Sequence, residues 1–297
     1  MTLTAINTPQ YHKYIADALI KGSNEAHWDR FIAESVKPER QYYVKMIEIF
    51  DEQLDDIMGN LQHFKSLKAL EDYLLDAEKF RIQYNEFGQL MLPGIISAWA
   101  EIELEALEVG ISFDVLDPKV LMAIRGRVNR FSDQVVNETL DELHRVIAQS
   151  IADGDGIPQL EKKIRELYAN MSKYRAERIA RTEVIWAQNE GAEQSYWQAG
   201  IEEKEWWSAR DSRTCFWCLE MHGKRIAVGT SYFEVEDKLT VMVEDKPKTM
   251  TFNYEQVNHP PLHCSCRCTL LPVVDIGKAY MRYLAYKWYR GHDGDRG

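Results

Sequence analysis

The sequence predicts an α+β fold: a helical N-terminal arm and a helical middle, then a small β-rich C-terminal module with a cysteine cluster. Three observations carry this. Apolar residues recur at helical spacing as far as Ala199, the period turns to alternation beyond Gly200, and all five cysteines fall in two short loops of that second part. At 297 residues, with 45% hydrophobic residues, the chain suits two domains, or one compact body carrying an extended helical arm.

In the arm, residues 1–24 read as a short lead-in. A helical pattern then runs from Asn24 to about Gly59 through Trp28, Phe31, Tyr43, Met46 and Phe50, and Pro38 is expected to split it in two. A second helical block is expected from about Ser66 to Gly88, and a third from Leu90 to Gly110 with Pro93-Gly94 near its start. In the middle, Asp117 is a fitting N-cap with Pro118 at the first helical position. The helix that follows should reach Asp153 and stop at Gly154. Ile157-Pro158 opens another, a third should cover Ser172 to Ala199, and Gly200 caps it. Strands are expected at Lys204–Ser208, Lys224–Ala227 and Cys268–Val273, with a hairpin of Leu239–Val243 and Thr249–Tyr254 around the loop 244–248.

The formal net charge of −11 argues against indiscriminate nucleic-acid binding. Residues 1–110 hold ten Lys/Arg against nineteen Asp/Glu, so the arm carries most of the charge and suits protein partners. The opening Met1-Thr2-Leu3-Thr4-Ala5 lacks a basic region and a sustained apolar run, so no secretory leader is expected. The longest apolar candidate, Leu90 to Ala100, is too short to span a bilayer. The tail interleaves Tyr280, Tyr283, Tyr286 and Trp288 with Lys278, Arg282 and Arg290, a pattern that suits packing on a partner groove and, secondarily, a nucleic-acid backbone.

The chemistry lies with the cysteines. Cys215 and Cys218 form a C-x-x-C, and the stretch His259–Cys268 adds Cys264, Cys266 and Cys268 with His259 and His263. Thiolates are soft donors, and two such loops suit one tetrahedral zinc, closed and structural rather than catalytic. A disulfide and buried unligated thiols are the competing readings. Four ligands are expected from Cys215, Cys218, His263, Cys266 and Cys268, with Cys264 the odd one out. The strand entering one loop and the strand leaving the other would then lie side by side. Arg181 and Glu183 lie on different faces of their helix, and each can tie it to the cysteine loops, Arg181 for example through a bidentate contact with Asp211. Solvent exposure is the plainer reading of both, and Glu183 has no catalytic partner at interpretable spacing.

These residues resemble the phage Mu protein F-like minor head proteins, also called phage head morphogenesis proteins. The resemblance is carried by Ile179-Ala180-Arg181-Thr182-Glu183, Asn189, Tyr196 and Gly200. It continues through Asp211-Ser212-Arg213-Thr214-Cys215-Phe216-Trp217-Cys218, Gly223 and Pro260–Cys268, and spans residues 115–275 or so. Cys264 stands where the family usually has proline, which adds a thiol to the loop. The resemblance implies three regions: a docking arm over 1–112, a head morphogenesis domain over 113–275 (helices 117–199, zinc-tied β module 204–274), and the basic, aromatic tail 276–297. It further implies a non-enzymatic virion component at the capsid interior or portal vertex, made in the host cytoplasm. Its partners would be the portal protein, scaffolding or major capsid protein, and double-stranded DNA as an added one. An alternative is a zinc-dependent nuclease or toxin-like effector injected with the genome, with His222, His259 or His263 as acid–base groups.

Overall fold

A computed structural model describes residues 9–64, 67, 75–209 and 211–274, with side chains from residue 24 onward. The expected basic, aromatic tail lies outside the described residues, as do the first eight residues and most of the stretch between Phe64 and Leu75. Four long helices come first: α1 (Pro9–Leu61), α2 (Ala77–Leu107), α3 (Pro118–Asp153) and α4 (Ile157–Ala199). The β-rich part follows as β1 (Glu203–Trp207), a short α5 (Phe216–Met221), β2 (Arg225–Ala227), β3 (Lys238–Val243), β4 (Lys246–Thr251) and β5 (Thr269–Val273).

The helices are fewer and longer than the local breakers predict. Pro38 sits inside α1, which is already helical by Pro9, so neither the lead-in nor the break at Pro38 is found. A proline inside a helix costs about 3 kcal/mol. Against that, Phe31, Tyr42, Met46, Ile49 and Phe50 are buried along one stripe that spans it, each worth about 1.5–3 kcal/mol. The same competition joins the two expected blocks around Leu90 into α2, whose buried stripe runs from Phe80 and Tyr84 through Leu92 and Ile96 to Leu104 despite Pro93. The break expected near Ser172 is likewise absent, because Tyr168, Met171, Arg175 and Ile179 continue one buried face of α4. The caps of α3 stand as expected: Asp117 accepts from Lys119 N, and Gly154 ends the helix at φ 73°. Gly200, at φ 69°, ends α4 the same way.

One hydrophobic core runs through all four long helices, from Tyr42 to Ala187. Helix α4 is its spine, since residues 183–193 are buried without interruption. Such a helix must lie inside the molecule. At its middle it meets α2 so closely that a Cβ on Gly191 would stand 2.5 Å from the Ile96 carbonyl oxygen.

The C-terminal module has its own core of Trp206, Cys218, Met221, Leu239, Phe252, Val257, Leu262, Cys266 and Cys268. Its three-stranded antiparallel sheet has the order β2-β1-β5, with Trp207 opposite Thr269 and Glu203 opposite Val273. The strand entering the first cysteine loop therefore does pair with the strand leaving the second. The β3–β4 hairpin turns on Glu244 and Asp245, both at positive φ, which is tighter than the five-residue loop expected. A third cluster, with Phe31, Trp99, Ile185, Tyr196 and Leu270, joins the module to the helices.

Candidate metal centre

The C-x-x-C is carried by a turn and by α5, which the sequence pattern missed because six residues are too few to show a period. Cys215 is its N-cap, with its sulfur accepting from Cys218 N. The second loop brings His263, Cys266 and Cys268 against it. His263 Nε2 lies 3.1 Å from Cys215 Sγ and 3.2 Å from Cys218 Sγ, and Cys218 Sγ lies 3.7 Å from Cys266 Sγ. Two triads result, Cys215–Cys218–His263 and Cys218–Cys266–Cys268, sharing the Cys218 sulfur. All five are free thiols or imidazole, and Cys264 is exposed and outside both triads.

The imidazole tells what the cluster needs. His263 Nδ1 is 2.8 Å from the Cys264 carbonyl oxygen, which can only accept, so Nδ1 carries a proton and donates. In the neutral ring Nε2 is then a lone pair facing two sulfurs, the arrangement of a metal-ligating histidine oriented by a backbone carbonyl. Lone pairs converging from sulfur and nitrogen call for a cation between them. Protons fill that role otherwise: burial works against the His263 cation, but the Cys215 and Cys266 sulfurs outweigh it and raise the ring to about 9. Cys215 falls to about 4 through its hydrogen bond with Cys218, against burial and with help from His263. Cys218 moves upward through its hydrogen bonds with Cys215, Cys266 and Cys268, and burial adds to the shift. A soft divalent ion suits this donor set, and the residues present fit zinc.

The surrounding residues hold the two loops in place. Thr182 Oγ1 accepts from Ser265 N, and Ser265 adopts φ 62° between two cysteines. Asp211 makes the bidentate arginine contact, but with Arg267, at 2.8 Å for both bonds, rather than with Arg181. Arg181 instead reaches Glu39 on α1 and Glu177 one turn back. The Arg267 pairing holds the Asp211 carboxyl well below the usual range and also lifts Arg267. Arg213 lies near Asp211 at the surface, and its backbone N–H donates to the Asp211 carboxylate. The Arg267 carbonyl accepts from Trp28 Nε1, so α1 touches the second loop directly.

Along the buried part of α4 every polar side chain has a specific task. Glu183 accepts from Arg127 Nε and Nη2, at 2.9 and 2.6 Å, which accounts for a carboxylate in the core, while Arg127 Nη1 goes to Glu255. Gln188 donates to the Phe31 carbonyl. Asn189 accepts from Leu270 N and donates to the Cys268 carbonyl, so its amide mimics a neighbouring strand at the start of β5. Glu190 meets His259 Nε2 at 2.8 Å. Glu193 holds the fully buried Lys204, whose ammonium also donates to the carbonyls of Thr230 and Asn258. Lys204 and His259 carry no local signal of these partners, which come from 11 and 69 residues away.

Residues 141–271 match the family described as Phage Mu protein F like protein. No curated protein and no solved structure matches the chain. The matched segment takes in the last third or so of α3, all of α4, both cysteine loops and most of β5.

Proposed function

We propose that this chain is a structural minor head protein of a tailed phage, in which one zinc ion closes the C-terminal module. The observation that carries the reading is that the family match covers both cysteine loops together with the helix that holds them. Cys215, Cys218, His263 and Cys266 would hold the ion, with Cys268 the competing fourth donor. The zinc would do no chemistry on a substrate. It fastens the ends of β1 and β5, and such a site contributes directly to folding.

The reading extends to place: the portal vertex during head assembly, with portal, scaffolding or coat protein as partners and packaged DNA as a further contact. Affinity capture of the tagged chain from phage-producing cells tests it. Portal and head proteins are expected to co-purify. Normal infectious heads assembled without the chain would overturn the reading.

The nuclease alternative finds its three histidines engaged. His259 sits between Glu190 and the Pro260 carbonyl, and His263 sits between the sulfurs and the Cys264 carbonyl. His222 accepts from Ser208 N and packs on Trp207. Zinc-dependent DNA cleavage that a folded His222→Ala variant loses would replace the structural reading.

A further inference from the structure

We propose that the cleft between α3, α4 and the loop 254–261 seats a lysine or arginine side chain carried by a partner protein. The cleft has a volume of about 740 Å³ and stands apart from the cysteine cluster. It rests on neither the metal assignment nor the family match.

Three carboxylates line it, and two are already answered: Glu190 by His259, and Glu255 by Arg127 and Arg130. Glu193 is answered only by half. Its Oε1 accepts from Lys204 Nζ and Gly229 N, both at 2.7 Å. Its Oε2 is buried and has no hydrogen-bond partner among the described residues, on a side chain only 6% exposed. A carboxylate oxygen kept from water without a donor is costly, and a cation bearing N–H groups relieves that cost.

The walls favour the same chemistry. Trp186, Trp197 and Tyr254 line the cleft, and indole and phenol faces attract cations. The chain itself demonstrates this, since Lys119 Nζ lies 3.1 Å from the centre of the Trp197 ring.

Gly126 keeps the cleft open. It sits within α3, where glycine costs about 0.5–1 kcal/mol relative to alanine. Packing does not require it, because an added Cβ would meet only the tip of Arg130, at 3.4 Å. What a larger side chain would take is the space in front of α4. That space exceeds what one ammonium or guanidinium fills, so the backbone flanking the cation is accommodated with it.

The test uses the full chain and four probes: acetylated, amidated Gly-Arg-Gly, Gly-Lys-Gly and Gly-norleucine-Gly, and spermidine, read by tryptophan fluorescence and calorimetry. The arginine or lysine peptide is expected to bind saturably and the norleucine peptide not at all. Binding should weaken about tenfold or more in Gly126→Leu and in Glu193→Gln. Because Glu193→Gln also disturbs Lys204, the Gly126→Leu variant, which leaves that pair intact, decides. Absence of saturable peptide binding, equal binding of the norleucine peptide, or full binding by Gly126→Leu would overturn the proposal. Spermidine binding without peptide binding would overturn the protein source.

Discussion

Cys218 supplies the sulfur common to both triads, so it is the residue whose loss the centre can least absorb. Elemental analysis of purified protein should find one zinc per chain in the parent and in Cys264→Ser, and none in Cys218→Ser. Asp211 offers a pH test with a definite sign. Its carboxyl is depressed in the folded chain by the Arg267 pairing, so its contribution is full above the unfolded value of about 4 and is lost as pH falls toward the folded value. The pair is near the surface, so Asp211→Asn should cost no more than about 1 kcal/mol at neutral pH. In urea titrations the gap between parent and variant should close as the pH drops below about 4. At this scale the sequence was informative about donors and poor about partners. Soft ligands announce themselves by type and spacing, so all five candidate donors converge. The partner of Asp211 is Arg267, 56 residues away, and nothing local distinguishes it from Arg181.

The elements divide along the same line. Caps are local chemistry, and Asp117, Gly154 and Gly200 sit where the sequence puts them. Breaks are not local. Pro38, the junction between Gly88 and Leu90 and the stretch near Ser172 read as boundaries, yet packing against neighbouring helices carries α1, α2 and α4 through them. The α2–α4 crossing yields a test. Gly191→Ala removes a helix-weakening glycine, but its Cβ would collide with the Ile96 carbonyl oxygen and the Ala100 nitrogen. Backbone cannot swing aside as a side chain can, so net destabilisation of about 1–3 kcal/mol is expected from denaturant midpoints. Asn189→Ala should be worse, at about 2–4 kcal/mol, since it strands the buried Leu270 N–H and Cys268 carbonyl together. Asn189→Asp should restore only the bond from Leu270.

For the whole molecule, two cores imply two responses to a chelator. The helices bury their own apolar surface from Tyr42 to Ala187, whereas the smaller module places cysteines among its core residues. Stripping the metal should therefore abolish the near-ultraviolet dichroism of Trp206 and Trp217 while most of the helical signal persists. Simultaneous loss of both signals at one chelator concentration would mean that the module supports the helices rather than leaning on them. The seam between the two has a further consequence for how the chain is made. Trp28 lies in α1, yet its indole is anchored to the carbonyl of Arg267, 239 positions later. Helix α1 also waits for Gln188 to reach the Phe31 carbonyl. During synthesis the stripe of α1 can therefore be covered by α2 and α4, while the part of α1 around Trp28 is completed only after the second cysteine loop has been made.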